Sequence, residues 1–399
     1  MPRPAGPAHV ATVSFLASRA APTGGFWVAL AGGVALARVA QRRGAREGFG
    51  ASLAAMLESV AIIGPTRFSV PLTQALTAPL LGRLEARSVS PVVQAIACGL
   101  VRLLHNAAVT AFFIWVIAGG LDAYAGTYDA LGGQLGLEVG SAGALAVTGV
   151  GLLGWAAFAS AVQVAVYRRG LRRWLHSEQG EAPPVAEAPD RAAARFDPRV
   201  VALAAVIAFV LLLASTEWIL LAAVAGWLAL AWLACRPDRS VLPAGLALTG
   251  LLAGGALLFG LVGGLGPDVA LRRGLRAALL VLTATWLRAA AGAAGLREVF
   301  RRTLGRLGRV PSLPEASRTL GEIGSERRLL AAGRSLAARL RGVRRRPLSI
   351  LDAVLDWVAH ESSRFRPGEY RSGLALRVRP SDALLLALAV SPVLALVLA

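Results

Sequence analysis

Residues 296–346 carry 14 arginines against 4 glutamates, a net +10 in 51 residues, and lie between two blocks of membrane-spanning character. Such a stretch cannot sit in hydrocarbon, where each central Arg costs roughly 2.5–3.5 kcal/mol even on the lenient insertion scale. It is expected on the cytoplasmic side. It nevertheless keeps an apolar stripe: Leu329, Gly333, Leu336, Leu340 and Val343 recur at steps of three or four, and Leu351, Val354, Leu355 and Val358 do so beyond Pro347. Both runs read as amphipathic helices laid against something. This helical pair is the expected working end of the chain, and the remainder holds it in the membrane.

The surrounding composition agrees. Only 16% of the 399 residues are charged, 56% are hydrophobic and the mean hydropathy is +0.60. A soluble domain would carry about 25% charged residues. The basic residues are all Arg, with no Lys anywhere. A Walker A loop needs its Lys and Schiff-base catalysis needs an amine, so ATP hydrolysis by that route is not expected of this chain, and with no nucleophile–base pair no enzyme activity is expected either. Cys98 and Cys235 sit in or beside apolar runs and read as small buried hydrophobes. His9, His105, His176 and His360 form no ligand spacing, and neither a metal nor a cofactor is expected.

Taken in order, residues 1–24 read as a Pro- and Ala-rich leader without clear structure, and 25–39 as a first span closed by Arg38, Arg42, Arg43 and Arg46. A secretory signal is not expected, since the early apolar run is short and closed by Arg19. Residues 51–82 are apolar but broken by Gly64-Pro65 and Pro71, with arginines on both flanks. That pattern suggests a re-entrant hairpin, tolerated at membrane depth only inside protein or beside a wet cavity. Spans follow at 91–121 and 142–167, the latter ending in the Arg168, Arg169, Arg172 and Arg173 cluster. Residues 176–195, rich in Pro, Ala and Glu, read as a linker between an N-terminal bundle (25–175) and a second one (196–399). The second has spans near 200–214, 218–234, 243–265, 275–294 and 381–398. Arg272, Arg273 and Arg276 fall at what should be an outer end, against the positive-inside rule. The expected fold is therefore an all-α multi-pass protein of the cell (inner) membrane, two helical bundles with cytoplasmic amphipathic coupling helices at 296–365.

Within the first bundle Glu58, Arg67, Gln74, Arg102, His105 and Asn106 are candidates for substrate binding or gating, because intramembrane polar and charged groups are functional by default. Glu58 and Arg67, on opposite arms of the hairpin, could pair; alternatively Arg67 snorkels and Glu58 lies near the cytoplasmic edge. Arg102, His105 and Asn106 share one helical face, though His105 could equally be a core histidine. Asp352, Asp356 and His360 recur every four residues, as a solvated helix face, as partners of Arg-rich neighbours or, less simply, as metal ligands. The Arg-rich helices could dock on an acidic protein groove or lie on anionic lipid, each Arg worth about 1 kcal/mol at such a surface. Nucleic acid is not expected, for want of interleaved aromatics.

The second half resembles the membrane T component of energy-coupling factor (ECF) transporters, importers of vitamins and transition-metal ions. Phe196-Asp197-Pro198-Arg199 opens the half as the family's Asp-Pro-Arg element does, and Pro311 through Arg318 resembles its cytoplasmic Pro-x-x-x-Glu-Ala-x-Arg stretch. Ser325-Glu326-Arg327 and Ser363-Arg364-Phe365 stand where the family carries Ala-Arg-Gly motifs, keeping the Arg but not its small neighbours. Tyr370-Arg371-Ser372 and Asp382 resemble its approach to the last helix. The likeness covers about 200 of the 399 residues. It implies a transducer whose Arg327, Arg364, Glu326 and Ser363 contact ABC-type ATPase subunits. It also implies a substrate-binding membrane (S) component as partner, possibly replaced by the N-terminal bundle. A self-contained secondary transporter built on the broken hairpin, and a membrane scaffold that recruits proteins or lipid, remain the alternatives.

Overall fold

The computed structural model describes residues 4–20, 25–64, 71–133, 136, 138–174, 185–186, 196–235, 241–343, 346–369 and 378–398. The protein is all-α. Its helices are α1 (Ala5–Ala20), α2 (Gly25–Arg43), α3 (Ala45–Ile63), α4 (Pro71–Ala86), α5 (Pro91–Phe112, prolonged by a π-helical turn, Phe113–Ala118), α6 (Leu121–Gly133) and α7 (Gly140–Trp174), followed by α8 (Pro198–Ala214), α9 (Trp218–Ala234), α10 (Leu242–Val262), α11 (Pro267–Arg306), α12 (Ser312–Glu322), α13 (Glu326–Arg341), α14 (Pro347–Arg364) and α15 (Pro380–Leu398). The one strand pairing among the described residues is a two-residue parallel bridge, Val185–Ala186 on Gly368–Glu369.

Among the described residues four helices are long and apolar enough to cross a membrane: Pro91–Ala118, Gly140–Trp174, Leu242–Val262 and Pro267–Arg306. Three shorter apolar helices, Pro198–Ala214, Trp218–Ala234 and Pro380–Val393, accompany them. Outward rows such as Val92, Ile96, Leu100 and Leu104 on α5, or Leu251 and Leu258 on α10, are bare of protein cover. Such a surface is stable only against lipid. This is a polytopic membrane protein.

Two large cores organise the helices, and their membership departs from the division expected at residues 176–195. One joins α8, α9, α11 and α15 around the fully buried Trp286 and its edge-on neighbour Trp227. The other unites α1, α2, α3, α4 and α7 with α12, α13 and α14, so the amphipathic helices of the second half pack into the first. At its centre stands α2, buried from Val28 to Ala40 and wrapped by α1, α3, α4, α7 and α14. Its all-round apolar sequence was expected to face lipid; here neighbouring helices take that place. Residues 5–15, expected as part of an unstructured leader, form the wholly buried start of α1. Its alanines, with Val10, Val13 and Phe15, supply small and large groups in alternation against α2 and α3.

The broken segment does fold as an antiparallel pair, α3 and α4, with Ser52 Oγ donating to the Ala75 carbonyl and Gly64 taking φ 86° at the end of α3. The arms are longer than the half-spans expected, α3 beginning at Ala45. α4 approaches α2 so closely that a Cβ on Gly82 would overlap the Ala37 carbonyl oxygen. Small residues permit such backbone-to-backbone packing.

The misplaced arginines of α11 find their reason in α5. Arg276 Nη2 donates to the Val116 carbonyl (2.7 Å) and Arg273 Nη1 to that of Ala118 (3.3 Å). The end of a helix leaves its last carbonyls without intrahelical donors, and these guanidinium groups supply them. Arg272 pairs with Asp268 at 2.6 Å. Further along, α11 breaks at Gly292 (φ 70°, ψ 163°), a conformation that strongly favours glycine. The Asp197-Pro198-Arg199 opening and Asp382 also meet. Asp382 Oδ1 accepts from the Asp197 amide (2.9 Å) and its Oδ2 from the Arg379 amide (2.6 Å), tying the start of α8 to that of α15.

A basic helical hairpin and the buried ion pair beneath it

α13 and α14 are amphipathic as their periodicity predicts. Leu329, Ala332 and Leu336 on α13, and Leu351, Val354, Leu355, Trp357 and Val358 on α14, are buried in the core built on α1 and α2. The helices run antiparallel: Arg328 stacks its guanidinium 4.8 Å over the Phe365 ring, and Trp357 Nε1 donates to Ser335 Oγ at 3.4 Å. The start of α13 and the end of α14 therefore lie side by side, and Arg327 and Arg364 are both exposed at that shared end. Arg364 Nη1 lies 3.1 Å from His360 Nε2, Ser363 Oγ donates to the His360 carbonyl (2.8 Å), and Glu326 lies 4.0 Å from Arg288. Arg327, Arg334 and Arg341, spaced by seven, form one exposed stripe opposite the buried leucines. Fourteen residues of helix give that stripe a length of about 21 Å.

Asp352 and Asp356 face α7 and take its basic cluster. Arg169 grips Asp352 through Nε and Nη2 (3.0 and 2.8 Å), and Arg173 reaches Asp352 at 2.9 Å and Asp356 at 3.8 Å. Their partners are the Arg-rich neighbours, and among the described residues no cluster of His, Cys, Asp and Glu has a metal-binding arrangement. A cleft of about 460 Å³ opens between α2, α3 and α12, lined by Arg43, Glu47, Glu315, Arg318 and Glu322. Its charges answer one another, Arg43 on Glu47 at 2.9 Å and Arg318 on Glu315 at 3.3 Å.

Beneath the shared end of the hairpin lies a buried node. Arg297, on α11 just beyond the Gly292 break, holds both carboxylate oxygens of Glu58 on α3, with Nε to Oε2 at 2.7 Å. Its Nη2 also donates to the Gly324 carbonyl (3.2 Å) in the turn between α12 and α13. Glu58 is 0% exposed and Arg297 3%. On the other side of the break Arg288 donates to the Ile62 carbonyl at 2.7 Å. The end of α3 is thus gripped from both segments of α11. Glu58 and Arg67 were read as able to pair; Arg67 lies outside the described residues, and the Glu58 carboxylate accepts from Arg297, 239 positions away in the chain.

His9 of α1 completes the node, stacked on Phe365 with ring centroids 4.5 Å apart. Burial, followed by the nearby positive charges of Arg328 and Arg297, pushes its pKa down from 6.5 to about 3. The imidazole is neutral in the fold, while the unfolded chain takes up the proton first as pH falls. His9 therefore has no linkage effect well above pH 6.5 and lowers stability as pH drops from 6.5 toward 3, by up to about 1.4 kcal/mol per pH unit. The measurable outcome is a difference: His9→Phe, which preserves the stacking, is expected to lose less stability between pH 6.5 and 4.5 than the wild type in parallel melts. Identical pH profiles would sink this account.

Of the remaining candidates, Gln74 and Arg102 are buried and His105 and Asn106 half-buried. Arg102 Nη2 donates to Gln163 Oε1 (2.8 Å), and Gln163 Nε2 donates to Thr77 Oγ1 (2.8 Å), a chain linking α5, α7 and α4. His105 and Asn106 sit one turn further along α5. Sequence reasoning missed Arg297, His9, Arg288 and Gln163. The available signal was their placement: Arg288 interrupts the apolar middle of α11 shortly before Gly292, with Arg297 shortly after it, and Gln163 interrupts an apolar run.

No protein-family model matches the chain, and no curated protein or solved structure matches it. The comparisons do not identify an ECF T component, so the functional reading rests on these residues.

Proposed function

We propose that the chain is a membrane-embedded transducer that receives a cytoplasmic partner on the basic end of the α13–α14 hairpin. The observation that carries this reading is the antiparallel pairing that brings Arg327 and Arg364 to one exposed end, above a buried node connected to the membrane helices. Guanidinium groups on a preorganised helix end suit charge-assisted or bidentate bonds to a partner's acidic or carbonyl groups. Following the ECF resemblance, the partner is an ABC-type ATPase, and the system is an importer of a vitamin or transition-metal ion in the cell (inner) membrane. Motion of the hairpin would pass through Arg297 to α3 and along α11 to the second bundle, and from there to a substrate-binding membrane component or its N-terminal equivalent. Membrane lipid is the second surface available to the exposed Arg stripe.

Co-purification from native membranes in mild detergent tests this, with Arg327→Glu/Arg364→Glu as the comparison. ABC-type ATPases are expected with the wild type and reduced on the order of tenfold in the variant, about 1.4 kcal/mol of docking free energy or more. Equal recovery with both forms, or absence from both while the protein is intact, would overturn the proposal. A second reading, a transporter that works alone, is favoured by the buried polar chain at Arg102.

A further inference from the structure

We propose that the interface of α4, α5 and α7 is a binding site for a small carboxylate, with Arg102 as its cationic anchor and Gln163 as its internal competitor. Arg102 is 4% exposed. Among the described residues its one hydrogen-bond partner is the neutral Gln163, and no carboxylate reaches it. A buried guanidinium without a counter-charge is costly, by several kcal/mol in ordinary protein surroundings and no less beside lipid. Intramembrane charges kept at that cost accompany a counter-ion or a pathway.

A second set of observations points the same way. Arg102 Nε and Ser160 Oγ are buried polar groups without partners, and Gln74 Oε1 is a buried acceptor without one. All three residues are at least nine-tenths buried. Ser160, Gln163 and Tyr167 recur at steps of three and four on α7, on one helical face, and Tyr167 neighbours Gln163, Cys98 and Arg102. Ser160 faces α5 at Gly99, one turn before Arg102. Buried polar groups are nearly always satisfied in native proteins, and an unmet guanidinium Nε with an unmet hydroxyl on the facing helix is an exception that calls for an explanation.

Arg102 Nε is an unmet donor, the Ser160 hydroxyl can donate, and the site's formal charge is positive. An acceptor-only anion complements it, and a carboxylate does so with two oxygens in the plane that a guanidinium fork recognises. Gln163 Oε1 occupies the fork in the structure. A carboxylate would replace that amide oxygen on Nη2 and take Nε as well, while Ser160 supplies a further donor. The half-buried His105 and Asn106, one turn along α5, mark the side from which it would enter. This inference is independent of the ATPase-docking reading: either can fail while the other stands.

The test uses the full chain in lipid nanodiscs, with acetate and propionate as probes against chloride and phosphate at constant ionic strength. The reporters are the melting temperature and the rate of Cys98 alkylation in a Cys235→Ser background. Saturable stabilisation by the carboxylates is expected, with Cys98 alkylation slowed at least twofold. Arg102→Gln is expected to abolish both effects and Ser160→Ala to weaken apparent affinity at least threefold. Gln163→Ala, which removes the competitor, is expected to strengthen it by a similar factor. If Arg102→Gln does not fold, the opposite shifts of Ser160→Ala and Gln163→Ala decide. No saturable response to either carboxylate in the wild type and Gln163→Ala, or an equal response to chloride, would overturn the proposal.

Discussion

Replacing Glu58 by alanine is expected to destabilise the protein by about 3–5 kcal/mol, the cost typical of stranding one partner of a buried ion pair. Both oxygens of Glu58 are held by Arg297, and neither residue is reached by water. Removing the carboxylate leaves a buried guanidinium whose Nη2 still donates to the Gly324 carbonyl but has lost its counter-charge on α3. The loss is a large fraction of a domain's stability, about 5–15 kcal/mol. Glu58→Met/Arg297→Met is expected to recover most of it, because a buried pair and well-packed apolar groups of similar volume are often nearly equivalent in stability. Asp352→Ala serves as the contrast: its Arg169 and Arg173 partners are 47% and 40% exposed, and such pairs contribute about 0–1 kcal/mol. Thermal unfolding of the variants in one detergent measures all of this. A Glu58→Ala melt as mild as that of Asp352→Ala would show that the node is not holding α3 to α11.

The second large effect concerns α1. Deleting residues 2–20 is expected to prevent accumulation of folded protein. Val10, Val13 and Phe15 are at most 1% exposed. At about 1.5–3 kcal/mol for each fully buried side chain, these three alone account for roughly 5–9 kcal/mol, before the faces of α2 and α3 that α1 covers are considered. Deletion would also remove His9 from the Phe365 ring and uncover the core side of α13 and α14. Yield and size-exclusion profile in mild detergent give the answer. A dispensable leader would leave a normal yield of monodisperse protein, and that result would refute the packing role assigned to α1. Phe15→Ala, expected to cost about 3–5 kcal/mol, gives a graded version of the same experiment.

The contrast between α13–α14 and α1–α2 shows what was legible in the sequence. On the cytoplasmic helices the charges themselves mark the wet side, so the heptad-like recurrence of Leu329 and Leu336 and of Leu351 and Val358 identified their buried faces correctly. α2 offers no such contrast along most of its length. Its apolar surface suits lipid and protein equally, and only the packing of α1, α3, α4, α7 and α14 around it distinguishes the two. α1 was obscured in another way, its alanines and single Pro giving weak periodicity although every residue from 5 to 15 is buried.

The candidate residues divide similarly. Arg327 and Arg364 were singled out by the family resemblance, and Gln74, Arg102 and Glu58 by being polar in apolar surroundings. Their partners were not. Glu58 to Arg297 and Arg102 to Gln163 are links across 239 and 61 positions, and local patterning carries no information about which of many arginines closes such a link. The sequence by itself determined that the chain is helical and that its long apolar helices suit a membrane, because transfer free energies are properties of the residues themselves. Tertiary structure alone decided that α13 and α14 rest on the N-terminal helices, that Arg273 and Arg276 serve the carbonyls ending α5, and that α3 is clasped on both sides of Gly292. Those outcomes depend on shape and hydrogen-bond complementarity between distant segments, which exist only once the helices have met.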